Sequence, residues 1–184
     1  MRAGAPLAAA FALWLPRAAF ADIPPEGHQT LASQLPYMPP AGLAILAALC
    51  VALAVSVATD LRCRLILDVV TLPVLALVLG IYARQGGTSA LTDSILGLAV
   101  CAGPFFVAAF PRWMGWGDAK LMAVVGAALG WPLAFMALLY VSIAGGAQAL
   151  LWIVFAKLRG REKPKYVPYA VAIAAGTLGA FLLG

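Results

Sequence analysis

The chain is dominated by long apolar runs that are separated by short polar segments. Several runs reach 18 or more residues, and a helix of about 20 apolar residues crosses the hydrocarbon core of a bilayer. In lipid, only helices and closed barrels satisfy their own backbone hydrogen bonds, and barrel strands would alternate apolar and polar residues. These runs do not alternate, so the pattern predicts an all-α polytopic membrane protein.

About six transmembrane helices are predicted within one domain, which covers residues 41–184. Ser89 or Thr92 is a candidate N-cap of the third helix. The fourth helix is short and covers only about 20 Å at the usual helical rise. The predicted ranges are 41–60, 66–84, 89–110, 118–130, 132–156 and 167–183.

The first 40 residues differ from the rest of the chain. Residues 1–21 combine a basic start, a short apolar stretch and the sequence Ala19-Phe20-Ala21, which is typical of a secretory signal peptide with its cleavage site. The alternative is an uncleaved, short first helix. Residues 22–40 are rich in proline and polar groups and are predicted to be an extracytoplasmic linker.

Charge is sparse and unevenly placed. Hydrophobic residues make up 64% of the chain and charged residues 10%, against roughly half and a quarter in soluble domains. The net charge is +5, but most basic residues follow the first, third and fifth helices, as the positive-inside rule requires of cytoplasmic loops. Both termini are therefore expected outside the cytoplasm, and no nucleic-acid partner is expected.

The residues that bind metals are scattered. Cys50, Cys63 and Cys101 form no CxxC pair, and His28 is the only histidine. A zinc site needs about four such ligands at close spacing. We expect neither a metal nor an organic cofactor.

Two acidic residues are predicted at the same membrane face. Asp60 ends the first helix, and Asp118 begins the fourth within MGWGDAK, residues 114–120. Acids near the hydrocarbon are functional candidates by default, and two carboxylates that share one proton can act as an aspartyl protease. The alternative is a structural role, since an Asp at a helix end can cap it or favour its dipole.

Three motifs resemble one protein family. GWGDAK resembles the GxGDxK signature of the type IV prepilin peptidases, which are GxGD-class membrane aspartyl proteases. TDLRCRLILDVVTL, residues 59–72, resembles the family's first motif, and VPYAVAIAAGTL, residues 167–178, resembles its last-helix motif. The resemblance covers about residues 41–184 and fits the six-helix layout.

The resemblance implies an activity and a place in the cell. Asp60 and Asp118 match the family's catalytic aspartates, and Gly115 and Gly117 support them. The implied substrate is a pilin-like precursor, with a short basic leader before a long apolar helix, cut at the cytoplasmic face of the bacterial inner membrane. The chain has no internal cysteine-rich insertion, so it resembles the compact, peptidase-only branch that serves Flp (tight-adherence) pili.

The first motif departs from the family pattern. The family has Ile-Pro-Asn where this chain has Ile66-Leu67-Asp68. Without the proline, the second helix is expected to start earlier. Asp68 is expected either to raise the pKa of the two acids by repulsion or to pair with Arg62 or Arg64.

Three further residues are candidates for the site. Lys120 either keeps a carboxylate ionised or marks the cytoplasmic side of the membrane. Pro168 and Tyr169 either shape a substrate groove or anchor the last helix at the interface. The basic segment 157–165 is a topology determinant that also suits anionic lipid or the pilus secretion machinery.

Two other functions remain open from the sequence. A small carrier would use the acids as an ion relay, but such relays step across the bilayer or accompany an internal repeat. A catalytically inactive component of pilus assembly is the other alternative, because the altered Ile-Pro-Asn motif is compatible with it.

Overall fold

The protein is an all-helical bundle. The computed structural model describes residues 39–85, 87–112, 114–159 and 168–183, and no strand occurs in these ranges. The predicted signal peptide and almost all of the predicted linker lie outside the described residues. The six helices are α1 (Pro40–Cys63), α2 (Asp68–Gln85), α3 (Gly87–Ala109), α4 (Trp116–Leu129), α5 (Leu133–Leu158) and α6 (Ala170–Leu183). They confirm the predicted fold class.

Four of these helices, α1, α2, α3 and α5, are long and apolar enough to cross a membrane. Their outward-facing side chains include large hydrophobic groups that are well exposed, such as Val51, Val107 and Ile143. A soluble protein rarely presents so much apolar surface, so the bundle is a membrane protein. The helices α4 and α6 have 14 residues each.

The short helix α4 forms the centre of the bundle. Every residue from Leu121 to Leu129 is buried. Its last carbonyl groups have no partner within the helix, and side chains of α2 and α3 satisfy them. Tyr82 donates to the Ala128 carbonyl at 2.9 Å, and Ser94 donates to the Ala127 carbonyl at 2.7 Å.

Glycines allow α3 and α4 to touch. A Cβ atom added to Gly97 would lie 2.9 Å from Gly130 Cα, and one added to Gly126 would lie 2.7 Å from Cys101 Cβ. Small residues let membrane helices approach to backbone contact. Gly126 and Gly130 therefore have a packing role.

Two predicted helix boundaries were wrong at the α1–α2 junction. The helix α1 runs past Asp60 to Cys63, and Arg64 ends it in a left-handed conformation with φ 56° and an N–H bond to the Asp60 carbonyl. The helix α2 begins at Asp68, later than predicted. The Leu67 carbonyl accepts the N–H of Thr71 at 3.2 Å, so the helix starts directly after residue 67 even without the proline.

The predicted cap of α3 was also wrong. The helix begins at Gly87, which has φ +66°, so Ser89 and Thr92 lie inside it. The Thr92 hydroxyl donates to the Thr88 carbonyl one turn earlier, at 2.7 Å. This bond turns the side chain back along its own helix, and the helix start needs no Ser or Thr cap.

Candidate active site

Asp60 lies in the last turn of α1 and is 6% exposed. Its Oδ2 atom accepts a hydrogen bond from the backbone N–H of Ala170 at 3.1 Å. Ala170 is the first residue of α6, and the first N–H groups of a helix have no partner within it. The positive end of the helix dipole also favours a carboxylate there. Asp60 therefore holds the start of α6 against the end of α1.

Asp118 is the third residue of α4, and Gly115 is the N-cap. The backbone of Gly115 lies beside the Asp118 carboxylate and lowers its pKa, and Asp118 occupies the position of the acidic residue in a capping box. A Cβ atom on residue 115 would lie 2.9 Å from Asp118 Oδ2. The first glycine of the GWGD motif therefore leaves room for the carboxylate to fold back onto the helix start.

The two acids lie close enough to interact electrostatically. Asp118 lies in the first turn of α4, outside the four long spans. Its pKa is raised from 3.8 to about 6. Burial is the largest cause, the charge of Asp60 is the second, and the Gly115 backbone opposes both. Like charges at short range disfavour joint ionisation. The fold thus brings together the ends of α1 and α4, as the topology predicted; we call Asp60 and Asp118 the acid pair.

Residues 64–67 connect α1 to α2, and we call them the α1–α2 linker. This linker packs on the first turn of α4. A Cβ atom added to Gly117 would lie 2.7 Å from Ile66 Cβ, which is closer than real Cβ contacts. The second glycine of the motif, Gly117, therefore leaves the space in which Ile66 packs. This contact was not predicted, because Ile66 and Gly117 are far apart in the chain and no residue pattern links them.

Asp68 and Lys120 form an ion pair across this junction. Lys120 Nζ lies 2.6 Å from Asp68 Oδ2, and their side chains are 31% and 52% exposed, respectively. The alternative in which Asp68 pairs with Arg62 or Arg64 was therefore wrong. Asp68 is the first residue of α2, and Lys120 follows Asp118 by two residues on α4. The ion pair is therefore a second contact between the α1–α2 junction and the start of α4.

Pro168 and Tyr169 precede α6 and contact α5 and α3. Gln148 of α5 donates to the Pro168 carbonyl at 2.6 Å. The Tyr169 ring packs edge-on against Phe105 at 5.8 Å between centroids, and its hydroxyl lies against Gly145. Burial raises the pKa of Tyr169, and the charge of Asp118 raises it further. Tyr169 is thus a neighbour of the acid pair.

An open cavity of about 420 Å³ lies between α3, α5 and the residues before α6. Tyr169 lines it, whereas Pro168 contributes no lining. We call this cavity the lateral groove; it is lined by Pro104, Phe105, Ala108, Met114, Ser142, Gly145, Gly146 and Tyr169. Among the described residues, no group of three or more His, Cys, Asp or Glu side chains could hold a metal ion.

Comparison with known proteins identifies the family. The model of the type IV leader peptidase family matches residues 47–150, which is more than half of the chain. Two curated relatives are prepilin leader peptidase/N-methyltransferases of Burkholderia pseudomallei, strains 1026b and K96243. Each is 32% identical over 151 residues, covering 76% of this chain and 47% of the relative.

The chain therefore spans about half the length of these curated relatives. No solved structure matches it significantly. The family match nonetheless includes both members of the acid pair and both glycines of the GWGD motif. This chain belongs to the type IV leader peptidase family.

Proposed function

We propose that this protein is a membrane aspartic endopeptidase that removes the short basic leader of prepilin-like precursors. The observation that carries the proposal is the acid pair: Asp60 and Asp118 come from distant parts of the chain, and the charge of Asp60 raises the pKa of Asp118. The family match and the prepilin leader peptidase name of the relatives support the same substrate class.

Each member of the acid pair has a distinct proposed role. The raised pKa of Asp118 keeps its carboxyl protonated up to about pH 6, so it suits the proton donor. Asp60 then acts as the base, with its carboxylate oriented by the Ala170 N–H. This division gives the proton-donating role to the carboxyl whose environment raises its pKa, as in other enzymes that use two carboxyl groups.

The proposed reaction is water attack on a peptide bond. Asp60 takes a proton from water while the oxygen attacks the carbonyl carbon, and Asp118 gives its proton to the carbonyl oxygen. When the tetrahedral intermediate collapses, the C–N bond breaks, the amine takes the proton from Asp60, and the carbonyl returns its proton to Asp118. Both acids end in their starting states, as general acid–base catalysis requires.

The proposed location is the bacterial inner membrane, with the acid pair at the cytoplasmic face and both termini outside. The distribution of Lys and Arg among the loops supports this orientation. The partners would be the precursor and the bilayer, together with the pilus secretion machinery. The compact, peptidase-only branch for Flp pili remains the proposed subfamily.

A reconstituted assay tests this function. The purified protein is placed in liposomes with a synthetic precursor that carries a basic leader and an apolar helix, and the products are analysed by mass spectrometry. The proposal expects a product shortened by the leader alone. An intact precursor would favour an inactive assembly component, and a proton or cation flux without cleavage would favour the carrier.

A further inference from the structure

The lateral groove is continuous with the acid pair through two short pieces of chain. Met114 lines the groove and directly precedes Gly115, which caps the helix of Asp118. Tyr169 lines it and directly precedes Ala170, whose N–H binds Asp60. The groove is therefore next to the residues that hold both carboxylates. Burial raises the pKa of its residue Tyr169, which is also close enough to Asp118 for the charge of Asp118 to raise that pKa further.

One wall of the groove is formed by Ser142 and two glycines of α5. The helix α5 carries two adjacent glycines there, and the Tyr169 hydroxyl covers the first, Gly145. At Gly146, an added Cβ atom would have no neighbouring heavy atom within 4 Å, and the residue is exposed. Glycine on a membrane helix allows another helix to approach closely, and no described residue makes such an approach at this position.

The chemistry of the groove suits an apolar segment that arrives from the bilayer. Its remaining walls are apolar, formed by Pro104, Phe105 and Ala108 of α3. Side chains next to it, Val107 and Ile143, are 71% and 68% exposed, so the groove opens on the apolar outer surface of the bundle. A segment already in the membrane can enter without crossing water.

Resting on the proposed function, we propose that the lateral groove is the docking site for the first residues of the precursor's apolar helix. The helix lies against α5 at Gly146, which leaves the preceding peptide bond at the acid pair. The cavity of about 420 Å³ is within the roughly 300–1,000 Å³ of ordinary ligand sites. It holds one or two apolar side chains, and the rest of the precursor helix stays in lipid.

The test is a leucine placed at Gly146, where the side chain fills the groove without displacing a neighbour. Gly146→Leu is expected to raise KM for precursor cleavage at least tenfold, with thermal stability in detergent unchanged. Gly80→Leu is the matched control: Gly80 lies on α2, also has open space at the Cβ position, and is expected to keep KM within twofold of wild type.

A crosslinking experiment gives a second readout that needs no turnover. A photoreactive phenylalanine analogue replaces Ile143, which is 68% exposed beside the groove, or Leu77, which is 48% exposed on α2. Both variants carry Asp118→Asn and keep Gly146, and the precursor is added. Crosslinks to the apolar segment are expected from position 143 and not from position 77.

The outcomes separate this inference from the proposed function. If wild type cuts the precursor but Gly146→Leu has the same KM and position 143 gives no crosslink, a lipid chain or another part of this chain covers the groove, and the docking proposal is overturned. If wild type itself does not cut, the proposed function fails and the docking proposal fails with it.

Discussion

The Asp60 carboxylate and the Ala170 backbone N–H are hydrogen-bonded at 3.1 Å, although they are 110 positions apart. The bond joins the end of α1 to the start of α6. It also places Tyr169, the residue before Ala170, between the lateral groove and Asp118. Asp60 therefore has a structural role besides its proposed catalytic one, and different substitutions should separate the two.

Asp60→Asn and Asp60→Ala are expected to differ in stability although both lose cleavage. The asparagine side-chain oxygen still accepts the Ala170 N–H, whereas alanine leaves that buried donor without a partner. Loss of such a cap typically costs about 0.5–2 kcal/mol. Thermal unfolding in detergent should therefore give a lower Tm for Asp60→Ala than for Asp60→Asn. Equal Tm values would show that the bond contributes nothing to folding.

Asp118→Asn is expected to stabilise the protein at high pH. The folded-state pKa of Asp118 is raised from 3.8 to about 6, so folding favours the protonated carboxyl. The corresponding stability is complete below about pH 4 and is lost as the pH rises through 6. Asparagine cannot ionise. Between pH 4 and pH 8, the stability of the variant should therefore rise by about 2 kcal/mol relative to that of wild type.

Unfolding midpoints of wild type and Asp118→Asn between pH 4 and pH 8 check this expectation. The unfolding midpoint of the variant should rise relative to that of wild type as the pH rises. If the difference between the two midpoints stays constant, or if wild type becomes the more stable protein as the pH rises, Asp118 is not in the environment described.

Gly117→Ala is expected to impair cleavage by displacing Ile66. The new Cβ atom would lie 2.7 Å from Ile66 Cβ, so the linker or the first turn of α4 must move, and Asp118 moves with that turn. A misplacement of about 1 Å in a catalytic group can cost on the order of 100-fold in rate. We expect kcat to fall at least tenfold.

Two companions make the Gly117 experiment specific. Gly103→Ala adds the same methyl group on α3, where nothing lies within 4 Å, and should leave kcat near wild type. Ile66→Gly combined with Gly117→Ala removes the clash and should recover part of the rate. If the double variant is no faster than Gly117→Ala, the contact with Ile66 is not the cause.

The Asp68–Lys120 ion pair is expected to make a modest contribution to the position of the start of α4. Both side chains are partly exposed, and exposed pairs contribute about 0.2–1 kcal/mol. Asp68→Asn and Lys120→Gln should each lower the cleavage rate by about two- to fivefold. In a double-mutant cycle, the combined variant should be no slower than the slower single variant; effects that simply multiply would show that the two side chains act separately.

The sequence was sufficient for the fold class and for the meeting of the two acids, because apolar run length and loop charge act locally along the chain. It also identified Tyr169, which borders the acid pair and the lateral groove. The contacts of Ile66 with Gly117 and of Asp68 with Lys120 were missed. Each joins distant segments, and an alternative partner nearer in the chain, such as Arg64 for Asp68, was equally reasonable by charge.

The helix ends were predicted less well for a related reason. The end of α1 depends on the left-handed conformation of Arg64, and the start of α2 depends on the Leu67 carbonyl. Neither Arg nor Leu is a residue type that predicts these roles. At a left-handed helix end, for example, the usual residues are glycine and asparagine. Asp60 was predicted as the last residue of its helix, and the additional residues to Cys63 became evident only in three dimensions.

Cleavage of a tagged precursor by three single Asp→Asn variants tests the central claim most directly. Asp93 supplies the matched control, because it is an acid near the opposite end of α3 from the acid pair. We predict that Asp60→Asn and Asp118→Asn each leave the precursor intact, while Asp93→Asn cuts it at the wild-type rate. Cleavage at the wild-type rate by either Asp60→Asn or Asp118→Asn would contradict the assignment of the acid pair as the catalytic site.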